Sequence, residues 1–290
     1  MLTIQSTVHG QIHVSDQGVT LAKMLIPETV VTSRSNARVK QLRAAFNGHA
    51  RLSGGLVAIE GDHLLTEALR SRVVLKTVFL SERREVPKII PRGVEVLRLT
   101  DEVFASLADT QSPQGIAALI EPPVHTLDTV IAGLPLILIA AGLQDPGNLG
   151  TLVRSAEAFG ATGVLTTPGT VSAWNQKALR ASVGSVFRIP VVPVSPEEVA
   201  SLKNQKVGLL AAVGDADRGV IPAQEMDFTQ PCAILIGNEG AGLSQDWLEM
   251  ANARVTIPCP GPVESLNAAV AGSLLLYEAS RQRSAAGVQR

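Results

Sequence analysis

Histidine is absent from the long C-terminal part of this sequence. The five histidines lie at positions 9, 13, 49, 63 and 125. A Ser-His-Asp or Cys-His nucleophile system within residues 134–290 is thereby excluded. Cysteine is nearly absent: Cys232 and Cys259 stand alone, with no C-x-x-C. They are expected to be small apolar fillers in a reducing cytoplasm rather than a disulfide or a metal site. No cluster has metal-ligand spacing, so no metal is expected. Neither G-x-x-x-x-G-K-[ST] nor G-x-G-x-x-G occurs, which removes the common phosphate and dinucleotide loops. No apolar run reaches the roughly 20 residues of a membrane span. The opening "MLTIQSTVHGQIHV" lacks a basic segment followed by an apolar one, so no signal peptide is expected.

Apolar residues make up 46% of the 290 and charged residues 18%, enough for a sizeable core and against disorder. A net charge of −1 conceals an asymmetry. Residues 30–122 carry 13 Lys and Arg against 10 Asp and Glu, and residues 123–290 carry 11 against 14. The stretch 33–51, "SRSNARVKQLRAAFNGHAR", has five basic residues and no acid. Arg34, Arg38, Lys40 and Arg43 are therefore either an RNA-phosphate face or a solvated helix surface, and charge alone leaves the two readings even.

Residues 1–29 show no period and read as an extension. From Ser33 to Pro123 helix and strand alternate, which predicts an αβ domain over 30–122. Ser35 or Asn36 can cap a helix to about Phe46, ended by Asn47–Gly48. Asp62 can cap a second helix through Leu69, with Leu64, Leu65, Ala68 and Leu69 on one face. A third helix is expected over Asp101–Ala108. Strands are expected at 55–60, 75–81, 94–99 and 115–121. "EPPVHTLDT" reads as a linker, because paired prolines break both element types; the linker is placed at 123–133. From 134 onward, strand, glycine-rich loop and helix repeat. Near-continuous apolar strands such as "LPLILIAAG" and "CAILIG" predict an α/β fold with a parallel sheet covered on both faces. Residues 173–188 read as one helix with a weak point at Gly184, and Ser265–Arg283 as a closing helix.

In such sheets ligands bind outside the carboxyl ends of the strands. Three strand ends carry unusual loops: "GLQDPGNLG" (142–150), "GNEGAGLS" (237–244) and "IPCPGPVESLN" (257–267). Such loops expose backbone N–H and C=O groups suited to an adenine, a ribose or a carboxylate. The remaining polar candidates are Asn148, Arg154, Glu239, Ser265 and Asn267. A structural Arg154 would pair with Glu157 or a strand end; a functional one would hold an anionic substrate. A structural Glu239 would simply face solvent. Ser265 can cap the last helix, which leaves Asn267 unexplained in a first turn unless its amide has a partner.

Three segments, "NLGTLVRSAEAFGATGVL" (148–165), "LIGNEGAGLS" (235–244) and "IPCPGPVESLNAAVAGSLLLYE" (257–278), resemble the three motifs of the SpoU/TrmH family of RNA ribose 2′-O-methyltransferases, in the SPOUT superfamily. The resemblance spans 134–283. "AIEGDHLLTEAL" (58–69) and "SPQGIAAL" (112–119) are similar to that family's small ribosomal-protein-like substrate-binding domain. The resemblance implies a trefoil-knotted C-terminal α/β domain, a homodimer, and S-adenosylmethionine held largely by backbone. It implies cofactor contacts at Gly237, Glu239, Gly242, Ile257 and Leu266, and a catalytic surface of Asn148, Arg154, Glu239, Ser265 and Asn267. It also implies RNA as partner, with ribosomal RNA favoured by the added domain. The third motif departs from the family's usual "IPM" plus glycine. Cys259 and two prolines stand there instead, a change in the pocket wall that bears on substrate preference more than on activity.

With no histidine near the first motif, Arg154 is the remaining group to act on the ribose hydroxyl. Arginine stays protonated in proteins, so its expected role is to pair with a phosphate and stabilise the developing alkoxide. Three rivals are a non-catalytic RNA-binding protein on a vestigial fold, a tRNA ribose methyltransferase, and a Rossmann-type NAD enzyme. The second differs in its RNA, and the last lacks both the glycine fingerprint and a suitable acid about 20 residues on.

Overall fold

The computed structural model describes residues 30–48, 55–107, 114–214, 219–263 and 265–287. The extension 1–29 (with His9 and His13), His49 and Arg51 of the basic stretch, Ala108, Ser112 and Pro113 and Glu264 lie outside the described residues.

The chain begins with strand β1 (Val30–Val31), helix α1 (Ala37–Phe46), β2 (Val57–Glu60), α2 (Asp62–Arg70), β3 (Val74–Ser81), β4 (Glu95–Leu99), α3 (Asp101–Ala105) and β5 (Ile116–Glu121). These strands form one five-stranded sheet in the order β1-β4-β3-β5-β2. Strand alternation assigns its two faces. Ala58, Phe79, Ala117 and Leu119 pack under α1 and α3, against Val39, Leu42, Val103 and Phe104. Val57, Ile59, Val78, Leu80, Ala118 and Ile120 turn the other way, toward α2. The α1 boundaries follow the sequence: the Asn36 side chain accepts from Arg38 N, and Gly48 takes φ 75° past the end. Asp62 is not the cap of α2. Gly61, at φ 96°, occupies that position, and Asp62 is the first helical residue, its carboxylate held by Arg84 at 2.5 Å.

The expected linker holds a short helix, α4 (Leu127–Ile131), whose Val130 is buried. There follow β6 (Leu136–Ala140), α5 (Pro146–Ala158), β7 (Gly163–Thr166), α6 (Gln176–Ser182), β8 (Val191–Pro193), α7 (Pro196–Ser201), β9 (Gly208–Ala212), β10 (Val220–Pro222), β11 (Cys232–Ile236), α8 (Gln245–Met250), β12 (Ala253–Thr256) and α9 (Ala268–Ala285). The seven strands pair in parallel throughout, in the order β10-β12-β9-β11-β6-β7-β8. In β6, Leu136, Leu138 and Ala140 join the core under α5 and α9, whereas Ile137 and Ile139 join the core under α4 and α7. The sheet is thus covered on both faces, as continuous apolar strands require.

Residues 173–188 do not form one helix. Val183 at φ 52° and Gly184 at φ 86° end α6, and a 3₁₀ turn covers Ser185–Phe187. The break has a packing cause. A Cβ on Gly184 would lie 2.5 Å from Glu67 Cβ, so α2 sits directly on the break. Arg188, just beyond, pairs with Glu157 at 2.5 Å and with Glu67 at 2.7 Å. One hydrophobic core runs from Val57 and Ile59 of β2 and Leu65 of α2 to Leu149 and Leu152 of α5 and Leu179 of α6.

Helix α5 fits between its neighbours because of two small contacts. A Cβ on Gly150 would stand 2.4 Å from Ala178 O of α6, and one on Gly272 of α9 would stand 2.4 Å from Leu152 Cδ2. Both glycines exchange helix propensity for close approach.

Candidate active site

The three unusual loops meet at one edge of the seven-stranded sheet. The carboxyl ends of β9, β11 and β12 border a cavity of about 510 Å³, within the range of small-molecule sites. Its walls include Ile236, Leu243, Val255 and Leu275, and its rim the loops 237–243 and 257–266. All five residues expected at the cofactor line it: Gly237, Glu239, Gly242, Ile257 and Leu266. Ser265 lines it too, as does Cys259, whose thiol donates to Ile257 O at 3.3 Å. The end of β9, at Ala212–Gly214, is a further wall that the sequence reading missed.

The loop after β11 folds back on itself. Asn238 and Gly242 exchange two backbone hydrogen bonds of 3.0 and 2.9 Å. A Cβ on Gly237 would lie 2.3 Å from Gly242 C, and Gly242 takes φ 68°. Both glycines are therefore needed for the turn. Asn238, also missed, accepts from Gly240 N and Ala241 N and donates to Gly142 O at 3.0 Å. Its position inside a G-N-x-G turn was the available signal.

Glu239 does not face solvent alone. Its carboxylate accepts from Gln144 N at 3.2 Å, Asp145 N at 3.0 Å and Asn148 Nδ2 at 2.9 Å. Burial pushes its carboxyl up, but the Asn148 amide and these backbone donors outweigh burial and hold it below the ordinary glutamate value. Asn267 Nδ2 in turn donates to Asn148 Oδ1 at 3.1 Å, and Asn267 Oδ1 accepts from Ala269 N and Val270 N. The helix cap fixes which end of the Asn267 amide is oxygen, and this orients every amide in the chain to Glu239. Ser265 is therefore not the cap of α9; Asn267 is, and the helix starts three residues later than expected.

Asp145 and Pro146 open α5 as cap and first residue, a pairing that the sequence signals through "DPG". Asp145 Oδ1 accepts from Asn148 N at 2.9 Å, and Oδ2 meets Lys177 Nζ at 2.7 Å. Arg154, two turns on, is exposed and makes no hydrogen bond or ion pair with any described residue. The expected structural partner, Glu157, is taken by Arg188. The structure thus joins Asn148, Glu239 and Asn267 by direct contact and places Ser265 at the cavity, while Arg154 stands apart on α5.

Among the basic candidates, Arg34 and Lys40 are exposed and Arg43 is half-buried. Arg38 is engaged by Glu95 at 3.1 Å and by Gln41. Lys40 and Arg43, three apart, share one side of α1.

Residues 135–277 match the SpoU rRNA Methylase family, and residues 36–118 match the MRM3-like substrate binding domain. The chain is 35% identical over 248 residues to the 23S rRNA (guanosine(2553)-2′-O)-methyltransferase RlmP of Bacillus subtilis, covering 85% of this chain and 97% of that one. The chain belongs to the SpoU methylase family. Another family member, the 23S rRNA (uridine(2479)-2′-O)-methyltransferase of Streptomyces viridochromogenes, is 32% identical, with 87% of this chain and 92% of that one covered. The crystal structure of the SpoU methyltransferase AviRb from the same organism, in complex with AdoMet, superimposes with a TM-score of 0.76 at 31% identity over 86% of this chain and 98% of that one. The SpoU match covers the seven-stranded sheet and its cavity, and the substrate-binding match covers β2, β3, β4 and the start of β5 in the first sheet.

Proposed function

We propose that this SpoU methylase transfers a methyl group from S-adenosylmethionine to a ribose 2′-hydroxyl of 23S-type ribosomal RNA. The observation that carries the reading is the cavity itself. Loop backbone from 237–243 and 257–266, with apolar walls, suits an adenine and a ribose, and Glu239 is the one charged side chain lining it among the described residues. That side chain already accepts three hydrogen bonds from residues 144–148. The relatives that modify 23S rRNA at a guanosine and at a uridine support ribosomal RNA over transfer RNA.

When bound, S-adenosylmethionine supplies a methyl group on an electrophilic sulfonium. Gly237, Glu239, Gly242, Ile257 and Leu266 hold it through the two loops. Glu239 fixes the loop at the start of α5 against the cofactor loop. Asn148 and Asn267 present their amides where the ribose enters, and Ser265 offers a hydroxyl on the cavity side. Arg154 remains protonated, pairs with a substrate phosphate and stabilises negative charge at the 2′-oxygen. The hydroxyl proton passes to a phosphate oxygen or to water. Lys40 and Arg43, together with Arg34 and Arg38, contact RNA phosphates.

The protein acts as a homodimer. Val270, Leu274 and Tyr277 form an exposed apolar stripe at helical spacing on α9, 43–53% exposed, which a second copy would cover. We infer further that the C-terminal domain is trefoil-knotted, and the free Cys232 and Cys259 suit the reducing cytoplasm. No helix among the described residues is long and apolar enough to cross a membrane. Sedimentation of the purified chain, with and without Leu274→Glu, tests the dimer; a monomeric wild type would contradict it.

A further inference from the structure

Helix α6 lies outside the cofactor cavity, yet its first two residues touch both halves of the molecule. Gln176 is buried at 5% exposure, and its Nε2 donates to Ala58 O at 2.8 Å. Ala58 belongs to β2, the edge strand of the first sheet. The neighbouring Lys177 reaches the other way, to Asp145 Oδ2 at 2.7 Å. Both oxygens of Asp145 are then engaged, one by Lys177 and one by Asn148 N, so the carboxylate cannot turn. The pair closes over Gly147, where a Cβ would lie 2.7 Å from Asp145 Oδ1 and 3.2 Å from Lys177 Cε. The Asn175 cap, which accepts from Lys177 N, fixes the start of the helix.

The first sheet is therefore hydrogen-bonded to Gln176, and its chain neighbour Lys177 is linked through hydrogen bonds to Asp145, Asn148, Glu239 and Asn267. We propose that Gln176 and Lys177 are positioning residues, which hold the Asn148 amide in register with the RNA that the first sheet presents. The inference rests on the methylation reading above. Lys177 contributes little to stability, because its ion pair is half exposed. Its effect is geometric: small displacements near reacting atoms cost large factors in rate.

The alternative is that Lys177 contacts RNA directly, and the two roles separate in measurement. In the full chain, Lys177→Met should lower kcat on 23S rRNA by roughly tenfold or more, leaving the RNA KM and the AdoMet Kd within about twofold. Lys177→Arg should recover most of the loss. In an Asp145→Asn background, where the cap acceptor is kept, Lys177→Met should add almost nothing, since both substitutions break one contact. Additive losses, or a raised RNA KM with a shallower salt dependence and unchanged kcat, would overturn the proposal. Hydrogen exchange provides a readout that needs no RNA. Lys177→Met should speed exchange in peptides covering 145–150 and leave 232–236 unchanged. Unchanged exchange at 145–150 would sink the proposal even if methylation is normal. An inactive wild type with faster exchange in the variant would count against the methylation reading alone.

Discussion

The side-chain amide of Asn267 donates to Asn148 Oδ1 at 3.1 Å while its carbonyl caps α9. One residue thus has a structural end and a site end, and substitutions can separate them. Asn267→Asp keeps the capping oxygen and loses the donor. Its melting temperature should stay within a degree or two of wild type while turnover falls by at least about tenfold. Asn267→Ala should lose turnover and also about 0.5–2 kcal/mol of stability. Thermal melts beside initial rates distinguish the two; an active Asn267→Asp enzyme would refute the site role.

Arg154 has no described partner to lose. Arg154→Lys and Arg154→Ala should both melt like wild type, because neither breaks a contact. Turnover should fall by about 10²-fold or more in both, since lysine keeps the charge without the planar fork. AdoMet affinity by calorimetry should not change. Near wild-type turnover in Arg154→Lys would show that the fork is not used.

The two cysteines should differ in reactivity. Burial first, against a lesser opposing effect of Arg283, pushes the Cys232 thiol up to about 11. Cys259 is half-buried on the cavity wall. An alkylating reagent at neutral pH should therefore modify one thiol per folded chain, at Cys259, and saturating AdoMet should slow that reaction. Mass mapping of the labelled peptide checks both. Equal protection with and without AdoMet would place the cofactor elsewhere.

Glu239 sets a pH signature. Its folded pKa lies below the ordinary 4.5, so its hydrogen bonds to the 144–148 loop contribute fully above that value. The contribution is lost as pH falls through the depressed value. The difference in melting temperature between wild type and Glu239→Gln should stay constant from neutral pH down to about 5, then shrink on further acidification. A difference that grew toward acid would mean that the carboxyl is raised instead.

Gly150 tests the packing of α5 on α6. Gly150→Ala would drive a methyl into Ala178 O and should cost about 1–3 kcal/mol, seen as a drop of several degrees in calorimetry. Gly208→Ala, whose Cβ would meet nothing closer than Pro231 O at 3.7 Å, should change stability by less than about 0.5 kcal/mol. Equal effects would deny the close approach.

Much of this arrangement is legible before any coordinates. The apolar runs at 136–140 and 232–236 read as strands because both of their faces are buried, and the three polar loops mark the strand ends that form the cavity. Elements that depend on distant partners are not legible. Strand β10 has only three half-buried residues against β12, and α8 has no buried residue, so neither carries a period. The break at Val183 is set by Glu67, more than a hundred residues away. Ser265 and Asn267 are both good caps, and only the Asn148 contact decides between them. Lys177 is, in sequence, one more charged residue on a helix.

The most direct test of the account is alkaline mapping of 23S rRNA, taken from cells lacking this gene and incubated with the enzyme and methyl-labelled S-adenosylmethionine. A 2′-O-methyl group blocks hydrolysis at its own phosphodiester. The account predicts one new alkali-resistant position that carries the label, absent with Asn148→Ala. Label that stays on a base, or no label in 23S rRNA at all, would contradict it.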